Sequence, residues 1–328
     1  KRPLAHDRRR SRIPRRVTVH HDVAALVVTY FPGDLGPLLD TLASQCGTVL
    51  VVDNTDDRER AADVSEACER AGARVISLGE NLGIAAAQNA GIDDLLGVRP
   101  GTGGSGTDSK PISAILLCDH DSLPSSTMVA DLLPHLGPGV AAVGPVPRED
   151  RLGGDELVYV ARTWGPRRAS PEDLRAEFID AAFLIASGCL ISREALLDIG
   201  PMNDSWFIDH VDLEWGLRAR LAGWRLLAIP GAGLTHSLGD NVVLLPGRDQ
   251  PVHVHAPIRT YYLTRNTLRL VSSGLLPRRW VLGYLVWLGK YVAFNAVAAQ
   301  PRQTRMRYMA WGLRDGIRGR LGRLGRQL

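Results

Sequence analysis

Short β-rich apolar runs alternate with helical segments along the first third of the chain. That alternation limits the fold more than any other feature. VAALVVT (Val23–Thr29) ends at Tyr30-Phe31-Pro32-Gly33, so it reads as a buried strand stopped by a turn. Leucines at 35, 38, 39 and 42 then follow helical spacing within Asp34–Ser44. TVLVVD (Thr48–Asp53), ARVISL (Ala73–Leu78) and AILLCD (Ala114–Asp119) are three further strands. Helices are predicted over Arg58–Ala71, with Gly72 as the stop, and over Leu82–Leu96. The order β-α-β-α-β-α-β means parallel strands joined by crossover helices, an open doubly wound α/β sheet. Such sheets bind ligands at the carboxyl ends of their strands. Here those ends are Thr29-Tyr30, Asp53-Asn54, Gly79–Asn81 and Asp119-His120-Asp121.

Beyond the fourth strand the pattern continues less regularly. Phe183–Ile191 is an apolar run with Ser187-Gly188 inside it, read as one strand with a bulge or a close backbone approach. Helices follow over Arg193–Ile199 and Asp212–Leu221, then a strand over Arg225–Ile229. From Arg259 onward the chain reads as mostly helical. Pro100–Lys110 is rich in Gly and Ser and lacks large apolar residues, so residues 99–111 are expected to be a flexible insertion.

The net charge of +4 hides a partition. Residues 1–16 carry +7, residues 17–258 carry −16, and residues 259–328 carry +13 with Asp315 as the sole acid. This divides the chain into a basic arm (1–20), an acidic α/β domain (21–258) and a basic helical extension (259–328). It excludes a uniformly basic coat protein, and the acidic domain would repel nucleic-acid phosphate. Hydrophobic residues are 45% and charged residues 23%, which suits a globular chain. Cys46, Cys68, Cys118 and Cys189 form no CxxC pair, which argues against structural zinc, and a disulfide framework is not expected. No apolar stretch follows the basic N-terminal residues, so the expectation is a cytoplasmic protein.

The strand ends carry the chemistry. Asp119 and Asp121, one residue apart after an apolar strand, are hard oxygen donors suited to Mg²⁺ or Mn²⁺; a solvated turn is the plainer alternative. His236, after Pro230–Thr235, is a candidate third ligand. Asp53 is either an acceptor for the imide N–H of a uracil or thymine or, with Asn54, a helix N-cap. The G-x-G-x-x-G fingerprint is absent after the first strand, which disfavours a nicotinamide dinucleotide. FIDHVDLEW (Phe207–Trp215) opens a helix on which Asp209 and Asp212 would sit on neighbouring turns, near His210 and Glu214. A carboxylate there is a candidate general base for a glycosyl acceptor, with simple capping as the alternative.

Taken in order, VVTYFP (27–32), VVDN (51–54), ENLGIAAAQNAGI (80–92), LLCDHDS (116–122), FIDHVDLEWGLRARLAGW (207–224), PGAGLTH (230–236) and RTYYLTRNTLRL (259–270) resemble the family 2 inverting glycosyltransferases. Within these, the chain resembles the bacterial rhamnosyltransferases over residues 23–269. The resemblance implies a GT-A fold: a Rossmann-like, mainly parallel open sheet flanked by helices, here with a C-terminal helical extension. It implies that Thr29, Tyr30 and Asp53 contact the base and ribose, and that Asn81, Gly83 and Asn89 frame the nucleotide and diphosphate. Asp119, Asp121 and His236 would hold Mg²⁺ or Mn²⁺. Asp212 would be the base, with Asp209 second because Val211 stands where the family has an acid. Glu214, His210 and Trp215 would meet the acceptor. The implied donor is dTDP-L-rhamnose and the implied acceptor a lipid-linked or polymeric glycan. UDP-galactofuranose or UDP-GlcNAc are the alternative donors, and a non-catalytic membrane-surface adaptor is the alternative class.

The tail adds a location. Trp280–Ala299 is long enough to cross a bilayer but carries Lys290 near its middle, so a helix against the domain or in the membrane interface is expected. Met306, Met309, Leu313, Ile317, Leu321 and Leu324 recur at helical spacing among eight arginines. That reads as a basic amphipathic helix at an anionic membrane, with packing on its own domain or in a homo-oligomer as the alternative. The expected place is the inner face of the plasma membrane, as a peripheral protein.

Overall fold

The computed structural model describes residues 18–98, 111–149, 158–236, 241–243 and 252–325. The predicted basic arm, up to residue 17, and nearly all of the 99–111 insertion lie outside these. The first half follows the reading closely: β1 (His20–Thr29), α1 (Gly36–Ala43), β2 (Cys46–Asp53), α2 (Arg58–Ala71), β3 (Arg74–Ser77), α3 (Ile84–Leu96) and β4 (Ala114–Asp119). Gly72 ends α2 in the left-handed conformation, as its position suggested. Then come β5 (Ser122–Pro124), α4 (Met128–Leu132), β6 (Val140–Pro145), β7 (Arg148–Glu149), β8 (Tyr159–Arg162), β9 (Gly165–Arg168), β10 (Ile179–Phe183), β11 (Cys189–Ser192) and α5 (Arg193–Ile199). The chain continues through α6 (Val211–Leu221), β12 (Arg225–Ile229), β13 (Leu234–His236), β14 (Asn241–Val243) and β15 (Val252–Val254). It ends in α7 (Arg259–Ser272), α8 (Arg278–Val297) and α9 (Arg302–Ile317).

Among the described residues the main sheet has ten strands in the order β3-β2-β1-β4-β11-β6-β12-β10-β8-β9. The β3-β2-β1-β4 half is wholly parallel. Beyond it β11 runs antiparallel to both β4 and β6, while β12 is parallel to β6. The winding reverses at β1, so the crevice between the ends of β1 and β4 is the place where such a sheet takes a ligand. Residue parity along β1 sorts the core. Ala24, Leu26 and Val28 face a cluster shared with α3, α5 and α6, while Val23, Ala25 and Val27 face one shared with α1, α2 and α4.

Two expectations change. The apolar run 183–191 is not one strand. It divides between β10 and β11, and Gly188 turns the chain between them with φ +79. The apolar residues from Met306 to Leu324 are not one helical stripe either. α9 stops at Ile317, and the side it buries is Arg305, Tyr308, Met309, Gly312, Asp315 and Gly316. A Cβ at Gly312 would lie 2.5 Å from the Tyr261 carbonyl, so close approach to α7 rather than an apolar stripe sets that face. Leu313 and Ile317 point outward, at 46% and 74% exposure.

Candidate functional site

Three strand ends build the first part of the site. Register pairs Thr29 with Asp53 and Val28 with Asp119, so these carboxylates share one edge of the sheet. Asp53 is fully buried. Its Oδ1 accepts from the Thr29 hydroxyl at 2.9 Å, the Thr55 hydroxyl at 2.6 Å and the Thr55 N–H at 3.2 Å. Its Oδ2 is buried with no partner, an acceptor held ready for an N–H donor. The helix-cap alternative fails, because Asp57 caps α2 by accepting from the N–H groups of Glu59 and Arg60. Tyr30 and Phe31 stand beside this edge, exposed and edge to face at 4.8 Å. Planar rings at the mouth and an orphan acceptor inside suit a flat heterocycle carrying an imide.

Residues 80–84 form the next wall. Asn54 donates to the Asn81 side-chain oxygen at 3.1 Å and accepts from the Leu82 N–H at 2.8 Å, while that Asn81 oxygen also takes the Gly83 N–H. Gly83 has φ +91, and a Cβ there would come within 2.5 Å of the Phe207 carbonyl, so no side chain fits. Ile84 N–H donates to that same carbonyl at 2.8 Å, tying this wall to the loop before α6. Asn89, expected at the nucleotide, is instead used within the fold. Its amide makes two 2.8 Å bonds to the backbone of Met202 and anchors α3 to the loop after α5.

Asp119 ends β4, and Asp121 is the last residue of the turn into β5. β13 runs antiparallel to β5 with His236 opposite Ser122, so the backbone brings His236 beside this pair; its side chain lies outside the described residues. Two carboxylates and an imidazole are a donor set that fits a hard divalent cation. Among the described residues no group of three His, Cys, Asp or Glu is gathered as a metal site.

The loop before α6 departs from the sequence reading. Asp209 and His210 do not lie on the helix. Phe207, Asp209 and His210 have φ of +65, +69 and +63, strained values for non-glycine residues. α7 holds them there. Asn266 donates to the carbonyls of Trp206, Ile208 and Asp209 at 3.2, 2.8 and 2.9 Å. Arg265, fully buried, donates to the Trp206 carbonyl at 2.9 Å. Arg259 clasps Asp209 through two bonds of 2.8 and 2.6 Å. Asp209 is therefore the anionic half of an ion pair, which removes it as the second base. His210 donates from Nε2 to Thr267, whose own hydroxyl proton goes to the Leu263 carbonyl. Burial pushes this imidazole down to about 4, so it is neutral at pH 7.

Asp212 differs from Asp209. Its Oδ1 takes the Leu213 N–H at 2.8 Å, and among the described residues no basic side chain pairs with it. Burial pushes its carboxyl up to about 6; the Leu213 N–H opposes the rise, and the charges of Asp119 and Asp209 add to it. Behind it lies a 20 Å³ cavity with Leu117, Leu184, Cys189, Trp215 and Leu226 on its walls. Glu214 and Trp215 do not reach an open surface. Glu214 is buried and paired to Arg218 at 3.0 Å, and Trp215, also buried, donates to the Gly200 carbonyl. Their place is in packing, not at the acceptor.

Residues of the extension complete the site, which sequence reasoning missed. Gly322 N–H bonds to Ser205, Leu324 N–H to the Tyr262 hydroxyl, and Arg323 reaches the Asn81 carbonyl at 3.3 Å and Asp56 at 3.4 Å. On α8, Trp287 lies 6.3 Å from the His210 ring and stacks on Tyr291 at 5.2 Å. The available signal was the run of polar residues in RTYYLTRN, too polar for an ordinary core helix and too buried to be a solvated one.

Solved structures share this fold. One is GalNAc-T7 with UDP, GalNAc and Mn²⁺, at 13% identity and TM-score 0.56 over 87% of this chain. Another is TarS of S. aureus, at 13% identity and TM-score 0.53 over 90% of this chain. The chain spans about half of each, 54% and 48%. In sequence it is 26% identical over 322 residues to the dTDP-rhamnosyl transferase RfbF of Shigella flexneri, across 93% of this chain and 98% of that one. The glycosyl transferase family 2 model matches residues 32–200, just over half the chain. With carboxylates at the carboxyl edge of a GT-A sheet and that match over the same strands, the chain belongs to glycosyl transferase family 2 and is a glycosyltransferase.

Proposed function

We propose that the chain moves L-rhamnose from dTDP-L-rhamnose to a hydroxyl of a lipid-linked or polymeric glycan, with inversion at the anomeric carbon. The observation that carries the mechanism is Asp212: a carboxyl held near pH 6 by burial, on the same strand-edge crevice as Asp119. At pH 7 it is mostly ionised yet basic enough to take a proton as the acceptor oxygen bonds to the sugar. Its Oδ1 is engaged by Leu213, which leaves Oδ2 for that proton. Asp53 Oδ2 accepts the imide N–H of the base, which uracil and thymine share, and Tyr30 and Phe31 flank the ring. The choice of a dTDP-sugar over a UDP-sugar therefore rests on similarity to RfbF.

The pair Asp119 and Asp121, with His236, would hold Mg²⁺ or Mn²⁺, which when bound neutralises charge on the departing diphosphate. His210, neutral and oriented by Thr267, together with the Trp287–Tyr291 stack, takes the acceptor role first expected of Glu214 and Trp215. The test is a panel of nucleotide sugars, with and without each cation, read by thermal shift and by donor hydrolysis. A response led by dTDP-L-rhamnose supports the proposal. Preference for UDP-galactofuranose or UDP-GlcNAc overturns the donor, and silence toward every sugar nucleotide overturns the site.

A further inference from the structure

The outward face of α8 stands apart from the rest of the molecule. α8 is a 20-residue helix with only 17% of its most apolar window buried, so it is not a core helix. Leu282, Leu285, Val286, Gly289, Ala293 and Val297 are all exposed and recur at three-, four- and seven-residue steps, which places them in one stripe. Leu282, Val286 and Val297 are 52%, 51% and 69% exposed. The stripe runs about 22 Å along the helix.

The other side of α8 is fixed to protein. Trp280 donates to the Arg162 carbonyl at 2.8 Å, Gly283 lies against Trp164, and Asn295 is buried facing Arg305 of α9. Trp287 borders His210. A helix with one side held this way cannot be ringed by lipid, although its length would span a bilayer. It can lie in the plane of an interface with its outer face immersed.

Charge identifies what it lies on. Arg278 and Arg279 are exposed at the start of α8, Lys290 along its flank and Arg302 just past its end. Across residues 259–328 the one acid is Asp315, which is buried and already bonded to Arg314 and Tyr261. A second copy stacked through this face would set these cations against their own kind with no acid to answer them. An anionic lipid bilayer offers both an apolar layer for the stripe and phosphate for its rim. We infer that the outward face of α8 docks on an anionic bilayer. The arginine-rich α9, which the sequence also offered for this task, packs its inner side on α7 and leaves only Leu313 and Ile317 as exposed large apolar side chains. Because the inner side of α8 borders His210, docking sets the acid cluster at the lipid surface.

The experiment is flotation of the full chain with phosphatidylcholine vesicles, with and without phosphatidylglycerol. Binding to the anionic vesicles is expected, at least tenfold weaker to the neutral ones. The double variant Leu285→Glu/Val286→Glu should lose tenfold or more with its melting temperature kept, and Arg278→Gln/Arg279→Gln should lower the salt dependence of binding. Leu313→Glu/Ile317→Glu on α9 should bind as the parent does. Unchanged flotation of the α8 double variant, or no binding to either vesicle, overturns the inference. So does a dimer, measured by light scattering, that the α8 variant splits into monomers. Donor hydrolysis, read in parallel without vesicles, separates a failure of docking from a failure of the catalytic reading.

Discussion

Replacing Asp212 with Asn should make the protein more stable and inactive at once. In the folded chain the Asp212 carboxyl is held at about 6 against 3.8 for an ordinary aspartate. Between those values the folded state binds more protons than the unfolded one, so stability from this group is full below about pH 4 and falls as pH rises to 6. At about 1.36 kcal/mol per unit, the rise costs at most about 3 kcal/mol above pH 6. Asn mimics the neutral acid and escapes that cost. For a chain of this length about 3 kcal/mol is roughly 4 °C in melting temperature. The assay is thermal unfolding of both proteins at pH 4.5 and pH 8, with chelator present so that the carboxylates keep their own charges. The difference between variant and parent should be about +1 °C at pH 4.5 and about +4 °C at pH 8. Transfer should fall by ~10²–10⁴-fold for loss of a general base. In the parent, kcat/KM should rise through pH 6 and level above it. A difference independent of pH, or a variant less stable at pH 8, would refute the claim that burial raises this carboxyl.

Other outcomes follow from the same geometry. Asp53→Asn turns the orphan acceptor into a donor facing the imide N–H; donor KM should rise about 10- to 100-fold, for a loss of about 1–3 kcal/mol, with kcat little changed. Arg259→Gln leaves the Asp209 carboxylate, 6% exposed, without its ion-pair partner; urea unfolding should show a loss of ~2–4 kcal/mol, and Asp209→Asn in the same chain should recover much of it. Trp287→Ala should raise the acceptor KM while donor hydrolysis stays at the parent rate, and equal losses in both would remove Trp287 from the acceptor side.

Local periodicity determined much of this protein in the sequence alone. β1 to β4 and the helices between them were legible because a buried parallel strand reads as an apolar run. α1 was marked by leucine spacing and α2 by its glycine stop. Asp53, Asp119 and Asp212 were legible too, because each stands where an element ends or begins. What a residue does once placed depends on partners far along the chain, and that only the tertiary structure decided. Sequence ranked Asp212 above Asp209 only by resemblance; in space Arg259, fifty residues on, pairs with Asp209, while burial raises Asp212. Asn89, Glu214 and Trp215 carried suitable chemistry but found backbone and ion-pair partners inside the fold. In α9 the apolar residues suggested one stripe, yet Gly312 and Gly316 let α7 approach, so Met309 is buried while Leu313 and Ile317 face outward. The stripe on α8 was the reverse case: an apolar helix that the fold leaves uncovered. Periodicity is a property of neighbours in sequence; burial, pairing and the pKa shifts they cause belong to neighbours in space.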